Sequence, residues 1–243
     1  MFLKEKIAKN FEKAKATYLK EAFVQKRMQG VLLDFLQKNT KREFANILEL
    51  GCGNGFFAKQ VVDCVSFEKY IALDIVDFSS DFLGSAIDFY QIDIEDFDTL
   101  DKKFCEKKFD LIISNAVLQW TNQKEVLGFL EKIAKKDAYL LLGIFGVENL
   151  REIREIFGKS LKYFENKFYK DILSNKWKNI EIFDEIIQIK FDSSLDIFRH
   201  LKNSGVNSIS SQNTITKEIL NTFENHYKNT LTYHPLFIFA QKN

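Results

Sequence analysis

The sequence predicts an α/β protein built on a doubly wound, mostly parallel sheet. Five short apolar runs are separated by segments of helix length, a pattern typical of parallel strands linked by helical crossovers. The first run ends in a turn with three alternate glycines, Gly51, Gly53 and Gly55. Polar residues follow the ends of the other runs, where open parallel sheets bind their ligands. These observations predict a nucleoside-binding fold.

The elements up to the fifth strand follow from the spacing of apolar residues. Residues 4–38 have the periodicity of a helix, with a predicted break near Thr17. The first strand covers residues 46–50, and a helix is expected from Phe56 to Val65. Four more strands are predicted at residues 67–73, 89–92, 109–115 and 138–145, with a helix over 122–136 between the last two.

The remaining chain is predicted to complete the sheet and to cover the site. A helical pattern occupies residues 148–168, an alternating strand 181–191, helices 193–203 and 216–227, and a last strand 236–240, with a polar stretch at 204–213. We expect one domain with four segments. Residues 1–42 form an N-terminal helical lid, 43–147 the cofactor-binding core, 148–180 a second lid, and 181–243 the closing strands and helices.

The glycine turn favours S-adenosylmethionine over a dinucleotide. Glycine has no Cβ and accepts positive φ, so a ligand can approach the bare backbone. A dinucleotide fingerprint would place its third glycine one position later, where this chain has Phe56. An NAD-dependent oxidoreductase is therefore disfavoured.

Candidate cofactor contacts follow the strand ends. Asp74 ends the second strand, where a carboxylate binds ribose hydroxyls. Asp93 and Ile94 are placed to bind the adenine amino group and ring, and Glu49 and Asn115 the methionyl part. The full predicted set is Tyr18, Glu49, Gly51, Gly53, Gly55, Asp74, Ile75, Asp93, Ile94 and Asn115.

Composition is that of an ordinary globular protein: hydrophobic residues make up 46% and charged residues 28%. No apolar run is long enough to span a bilayer, and residues 1–6 carry no apolar signal core. The three cysteines, Cys52, Cys64 and Cys105, show no metal-ligand spacing. We therefore expect a cytoplasmic protein without a metal, and neither nucleic acid nor membrane as a partner.

Charge is unevenly distributed although the net charge is only +1. Residues 1–42 hold eleven basic residues against four acidic ones, whereas residues 43–110 hold six against fifteen. Such asymmetry can mark a partner surface or simply a solvated helix face.

Three segments outside the glycine turn are informative: residues 114–120 (SNAVLQW), 198–206 (FRHLKNSGV) and 231–237 (LTYHPLF). They resemble the S-N-x-x-x-Q-W, R-x-L-K-x-x-G-A and L-T-Y-H-x-x-F elements of the malonyl-acyl-carrier-protein O-methyltransferases, with Val206 in place of alanine. These are enzymes of biotin synthesis within the class I S-adenosylmethionine-dependent methyltransferases. The N-terminal helix also resembles the family's entry helix, whereas residues 158–180 show no match.

The resemblance implies a seven-stranded, Rossmann-like sheet whose last strand is antiparallel, and methyl transfer from S-adenosyl-L-methionine to the free carboxylate of malonyl-acyl-carrier protein, with S-adenosyl-L-homocysteine as product. A carboxylate is already ionised at neutral pH, so no general base is required. Arg199, the one arginine among apolar neighbours, is expected to bind this carboxylate. Tyr18, Trp120 and Tyr233 are the other expected catalytic residues.

An acidic carrier protein requires a basic docking surface. The candidates are Lys9, Lys13, Lys20, Arg151, Arg154, Lys159 and Lys162, on the two predicted lid segments. Two alternatives remain open at this point: a methyltransferase acting on a small carboxylic acid or quinone precursor, and a non-catalytic cofactor-binding partner subunit.

Overall fold

The computed structural model describes residues 2–104, 106–206 and 215–243. Cys105 and residues 207–213 of the predicted polar stretch lie outside the described residues. Seven strands form one sheet in the order β3-β2-β1-β4-β5-β9-β6. The strands are β1 (Glu43–Leu50), β2 (Ser66–Asp74), β3 (Ile87–Gln91), β4 (Phe109–Asn115), β5 (Ala134–Phe145), β6 (Trp177–Asp184) and β9 (Pro235–Lys242).

The pairing confirms the predicted fold class. Strands β1 to β5 pair in parallel, and β9 lies antiparallel between β5 and β6. The parallel order reverses between β1 and β4, which creates a crevice at their carboxyl ends. Position in the sheet thus places the ends of β1, β2 and β4 beside one another.

Helices cover both faces of the sheet. The helices are α1 (Phe2–Glu21), α2 (Phe23–Asn39), α3 (Phe56–Val62), α4 (Phe97–Phe104), α5 (Gln123–Ile133), α6 (Arg151–Phe157), α7 (Asn166–Leu173), α8 (Ser194–Asn203) and α9 (Lys217–Asn225). One buried cluster joins the sheet to α2, α3 and α8, and a second joins it to α4, α5 and α7. Among the described residues, no helix combines the length and apolarity needed to cross a membrane.

The N-terminal helical region divides into two helices with different surroundings. The break falls at Ala22, so the predicted break near Thr17 is wrong. Helix α2 belongs to the core, since Met28 and Leu32 are fully buried and Phe35 stacks on Phe239 with ring centroids 3.6 Å apart. Burial of such side chains contributes about 1.5–3 kcal/mol each. Within residues 1–42, the lid hypothesis therefore applies to α1 and not to α2.

Two predicted elements beyond the fifth strand are wrong. The helix expected over 148–168 ends at Phe157, because Gly158 adopts a left-handed conformation with φ of +63° that caps it. The strand expected over 181–191 splits between the main sheet and a two-stranded ribbon of β7 (Ile187–Lys190) and β8 (Thr230–Tyr233). Tyr233 consequently ends β8, and the last strand of the main sheet begins at Pro235.

Candidate active site

A cavity of about 160 Å³ lies at the carboxyl ends of β1, β2 and β4, beneath α1. It is lined by every predicted cofactor residue except Gly55. The lining residues are Lys4, Ile7, Phe11, Lys15, Tyr18, Leu19, Ala22, Gln25, Lys26, Gln29, Glu49, Gly51, Cys52, Gly53, Asn54, Phe56, Phe57, Asp74, Ile75, Phe78, Asp93, Ile94, Glu95, Asn115, Ala116, Val117, Trp120 and Thr121.

The glycine turn forms the floor of the cavity. Gly51 has a φ of +67°, and a Cβ there would come within 2.1 Å of the Val117 side chain, which follows β4, so a larger residue would collide with Val117. A Cβ on Gly53 would meet no atom within 4 Å, which leaves bare backbone facing open space. This is the cradle that a close nucleoside ligand requires.

Gly55 has a role in the turn and in packing. It is not among the cavity-lining residues and precedes α3 with a φ of +74°. A Cβ there would come within 2.9 Å of the Phe82 ring. The direct contact of Gly55 with the cofactor stays a prediction.

Asp74 is positioned by the glycine turn itself. Its Oδ2 accepts a hydrogen bond from the Gly53 amide at 2.9 Å, and its Oδ1 accepts one from the Val76 amide at 2.9 Å. Burial raises the pKa of Asp74, although these backbone donors oppose the shift. Each oxygen keeps a second lone pair, so the carboxylate can accept from two hydroxyls of a ribose.

Asp93 is joined to the lid helix. Its Oδ2 accepts from Lys4 Nζ at 2.7 Å, and the same Nζ lies 2.8 Å from Glu95 Oε2. Lys4 therefore ties α1 to the end of β3, across the mouth of the cavity. The predicted contact of Asp93 with adenine would have to share this carboxylate with Lys4.

Glu49 is a buried carboxyl group at the end of β1. Tyr70 donates a hydrogen bond to its Oε2 at 2.6 Å. Burial raises the pKa of Glu49 to about 8, with the Tyr70 hydrogen bond lowering it and the charge of Asp74 raising it further. A cation beside such a carboxyl group, for example an ammonium group, would lower its pKa and favour the charged form.

Asn115 lines the cavity and has one unpaired acceptor atom, which lies against Gly143. Its side-chain amide donates to the Gln25 carbonyl at 3.1 Å, whereas its buried Oδ1 has no hydrogen-bond partner among the described residues. Unpaired buried polar atoms are rare and indicate a missing ligand or water. Together with the buried Ile94 and the half-buried Ile75, these groups fit the adenosyl and methionyl parts of the predicted cofactor.

A second compartment of about 20 Å³ adjoins the cofactor cavity. Phe11, Tyr18, Gln25, Ala116 and Trp120 line both. The remaining lining residues are Gln119, Phe145, Asn149, Leu150, Leu161, Tyr163, Val206 and Tyr233. Because the two cavities share this wall, an acceptor molecule in the second compartment would lie next to the cofactor.

The shared wall is aromatic. Phe11 and Trp120 pack edge to face with centroids 5.6 Å apart, and Phe11 packs on Tyr18 at 6.3 Å. Gly205, with a φ of +75°, lets the Phe11 ring approach so closely that a Cβ would lie 2.7 Å from it. The G of the R-x-L-K-x-x-G element thus holds α1 against the site.

Tyr233 reaches the second compartment from β8 and is anchored by His200. The Tyr233 hydroxyl lies 2.6 Å from His200 Nε2, and His200 Nδ1 lies 2.8 Å from Glu21 Oε2. Because a carboxylate can only accept, Nδ1 carries the proton and Nε2 accepts from Tyr233. Burial lowers the pKa of His200, which keeps the imidazole neutral.

Arg199 is placed outside both compartments, so the prediction that it lies buried beside the acceptor is wrong. Its side chain is 64% exposed and pairs with Asp196 at 2.8 Å. Ile197, Phe198 and Leu201 do face the core, but Arg199 shares the outer face of α8 with Leu195, four residues earlier and 43% exposed. The neighbouring His200 takes the inward position instead.

Comparison with known proteins agrees with this geometry. Residues 41–234 match a family model described as a methyltransferase domain. The chain is 32% identical over 241 residues to the malonyl-[acyl-carrier protein] O-methyltransferase of Calditerrivibrio nitroreducens, covering 96% of this chain and 95% of that protein. It is 30% identical to the protein of the same name from Haemophilus influenzae, covering 98% and 94%.

Solved structures show the same fold at low sequence identity. The N-methyltransferase NodS of Bradyrhizobium japonicum, solved in complex with S-adenosyl-L-homocysteine, superposes with a TM-score of 0.56 at 15% identity, covering 98% of this chain and 99% of that one. A SAM-dependent methyltransferase from Archaeoglobus fulgidus gives 0.56 at 17% identity, covering 91% and 94%.

Proposed function

Because this chain belongs to the malonyl-acyl-carrier-protein O-methyltransferase family, we propose that it methylates the free carboxylate of a malonyl thioester, using S-adenosyl-L-methionine, in early biotin synthesis. The structural observation that carries the proposal is the pair of adjoining compartments. One has the cradle and carboxylates for a nucleoside, and the other is small, bordered by aromatic rings and without a general base among its described lining residues.

The cofactor supplies an electrophilic methyl group on a positively charged sulfur. Asp74 would accept from the ribose hydroxyls, Ile75 and Ile94 would lie against the adenine, and Asp93 would lie near its amino group. Glu49 would accept from the methionyl ammonium, close to Asn115. These roles are proposed because all of these residues line the cavity and because each Asp74 oxygen keeps an unused acceptor position.

The protein contributes to the reaction by positioning the two reactants and by excluding water from the site. Tyr18 and Trp120 form the wall shared by donor and acceptor, where they can hold the two reactants in line and exclude water. Such positioning is worth up to about 7–11 kcal/mol of the barrier in favourable cases. An ionised carboxylate needs no base, so the absence of one from the described lining is compatible with the reaction.

Docking of the carrier protein is proposed on the outer face of α1. Lys9, Lys13 and Lys20 are exposed, lie within about 40° of one another around the helix, and form no ion pair among the described residues. Arg151 is instead near Glu148 and Glu152. Arg154 donates to the Val147 carbonyl. The stripe of lysines on α1 is therefore a stronger candidate for the docking surface than the two arginines.

Salt dependence tests the docking surface. Reversing charge in a Lys9→Glu, Lys13→Glu double variant should raise KM for malonyl-carrier protein at low salt, because rim charges mainly set the association rate. The KM for malonyl-CoA should not change, since it lacks the acidic protein. A double variant that responds to salt like the wild type would remove the stripe from the proposal.

A panel of acceptors tests the function itself. Purified protein with radiolabelled methyl donor is offered malonyl-carrier protein, malonyl-CoA, free malonate and other small acids. We expect ester formation on the malonyl thioesters, which separates this reaction from that of a small-acid or quinone-precursor enzyme. Transfer only to the small acids would contradict the proposal. The cytoplasmic location stays a prediction, to be tested by cell fractionation.

A further inference from the structure

The second compartment has the dimensions of a carboxylate subsite. Its volume of about 20 Å³ exceeds the roughly 10–15 Å³ that one water molecule requires, and it leaves no room for a ring. It opens on the aromatic wall shared with the cofactor cavity. A short acidic head group is therefore the part of a malonyl acceptor that fits.

All polar groups of this compartment in the described part of the chain are neutral. The polar side chains are those of Tyr18, Gln25, Gln119, Trp120, Asn149, Tyr163 and Tyr233, with no lysine, arginine or histidine among the lining residues. The Arg199 side chain lies outside it. A carboxylate bound here must be held by uncharged hydrogen-bond donors.

Three of the candidate donors are already used. The Tyr233 hydroxyl donates to His200, as the tautomer argument requires, and the Gln119 amide donates to the Ala116 carbonyl at 2.7 Å. Asn149 donates to the Tyr163 oxygen at 3.0 Å, so Tyr163 acts there as the acceptor.

Tyr18, Gln25 and Trp120 lie on the wall shared with the cofactor cavity, whereas Tyr163 borders the second compartment alone and keeps its own proton to offer there. That proton has no acceptor among the described residues. The hydrogen bond from Asn149 occupies one lone pair of the Tyr163 hydroxyl oxygen. Asn149 is itself held, since its Oδ1 accepts from the His234 amide at 3.3 Å. Burial raises the pKa of Tyr163 to about 12, so the hydroxyl stays protonated and able to donate at neutral pH.

We propose that this compartment is the acceptor carboxylate subsite, with Tyr163 as the hydrogen-bond donor to the carboxylate and Asn149 as the residue that positions it. The inference rests on the proposed function and specifies how that site recognises its substrate class. It replaces Arg199 in that role.

The chemistry favours a neutral donor here. Methyl transfer from a sulfonium to a carboxylate forms a C–O bond and breaks an S–C bond, and the pair of opposite charges becomes a neutral ester and a neutral thioether. A cation touching the carboxylate would stabilise the charged reactant more than the transition state, in which that charge is fading. A hydroxyl group orients the carboxylate by a hydrogen bond and stabilises the charged reactant less than a cation would.

Two variants test the donor without changing the shape of the site. Tyr163→Phe removes the hydroxyl. Asn149→Asp replaces the donating amide by a carboxylate, which would accept the Tyr163 proton and withdraw it from the substrate. Tyr227→Phe, a hydroxyl that donates to Glu155 outside both compartments, is the matched control.

Loss of a hydrogen bond to a charged group should raise KM for malonyl-carrier protein about 10- to 100-fold in both variants, with a smaller change in kcat. Binding of S-adenosylhomocysteine, and competitive inhibition by acetyl-carrier protein, which lacks the carboxyl group, should stay at wild-type values. A merely structural role of Tyr163 would disturb these as well. Tyr227→Phe and Arg199→Ala should retain wild-type KM.

An unchanged KM in Tyr163→Phe with active wild-type protein would overturn the inference and leave the proposed function standing. A large loss in Arg199→Ala alone would also overturn it. If the wild-type protein transferred no methyl group to any malonyl thioester, the proposed function would fail, and this inference with it.

Discussion

Replacement of Glu49 tests the electrostatics of the cofactor cavity most directly. The buried Glu49 carboxyl has its pKa raised from 4.5 to about 8, so about nine-tenths of the molecules carry a proton there at pH 7. A shift of this size corresponds to a free energy on the order of 5 kcal/mol against the charged form. Binding a cofactor ammonium group beside Glu49 should reverse that preference and expel the proton.

The assay is calorimetry of S-adenosylhomocysteine binding at pH 7 in two buffers with different heats of ionisation. We expect release of up to about 0.9 proton per molecule bound by the wild type. Glu49→Gln carries no titratable proton, so its release should fall by that amount, and its affinity should no longer increase between pH 6 and 8. Equal binding heats for the wild type in both buffers would refute the reasoning.

Glu49 should also make the stability of the ligand-free protein depend on pH, in the direction opposite to that of cofactor affinity. Between pH 4.5 and about 8 the folded state holds a proton on Glu49 that the unfolded state has released, so stability falls as pH rises through this window. Glu49→Gln should remove that contribution and melt at a higher temperature than the wild type at pH 8. A wild-type stability that rose relative to the variant toward pH 8 would contradict the burial argument.

Three further predictions concern α1 and its supports. Lys4→Ala removes a partly exposed link to Asp93 worth up to about 1 kcal/mol, so S-adenosylhomocysteine should dissociate a few-fold faster in stopped-flow experiments while the melting temperature barely changes. Gly205→Ala must adopt positive φ and displace Phe11, and should cost about 1–3 kcal/mol in denaturant unfolding. The depressed pKa of His200 predicts that stability falls as pH drops below about 6.5, and His200→Gln should flatten this dependence.

The core of the fold could be predicted because its signals are local. The runs ending at Leu50, Leu73 and Asn115 form strands in the structure, and the order of the chain dictates that their ends share one edge. Gly51 and Gly53 lie where the spacing put them, for the reason given by their φ values.

The burial of Arg199 was predicted wrongly because apolar neighbours in the sequence do not determine which face of a helix a residue lies on. Apolar neighbours surround it in the sequence, yet a rotation of about 100° per residue separates it from Phe198 and His200, which face inward. The neighbourhood of a residue along a helix says little about its neighbourhood in space. Counting by three and four from Ile197 would have placed His200 and Leu201 inside.

Tyr163 and Asn149 carry no such local signal. Tyr163 lies in the irregular connection before α7, and Asn149 lies in the loop after β5. They meet only through tertiary packing, so neither periodicity nor motif spacing could pair them. The one available clue was that Asn149 follows the carboxyl end of a parallel strand, where ligand-binding residues concentrate.

The two compartments differ in charge. In the described part of the chain, the cofactor cavity is bordered by carboxyl groups and by lysines, whereas the proposed acceptor compartment holds only neutral groups. The charged residues are Glu49, Asp74, Asp93, Glu95, Lys4, Lys15 and Lys26. A cation beside the acceptor would compete with the sulfonium for the carboxylate. With none among the described residues of that compartment, the carboxylate would meet the sulfonium without a competing cation at its own binding site, and in a dry site that attraction is weakly screened. The acceptor is thus drawn toward the methyl group by the charge that the reaction will neutralise.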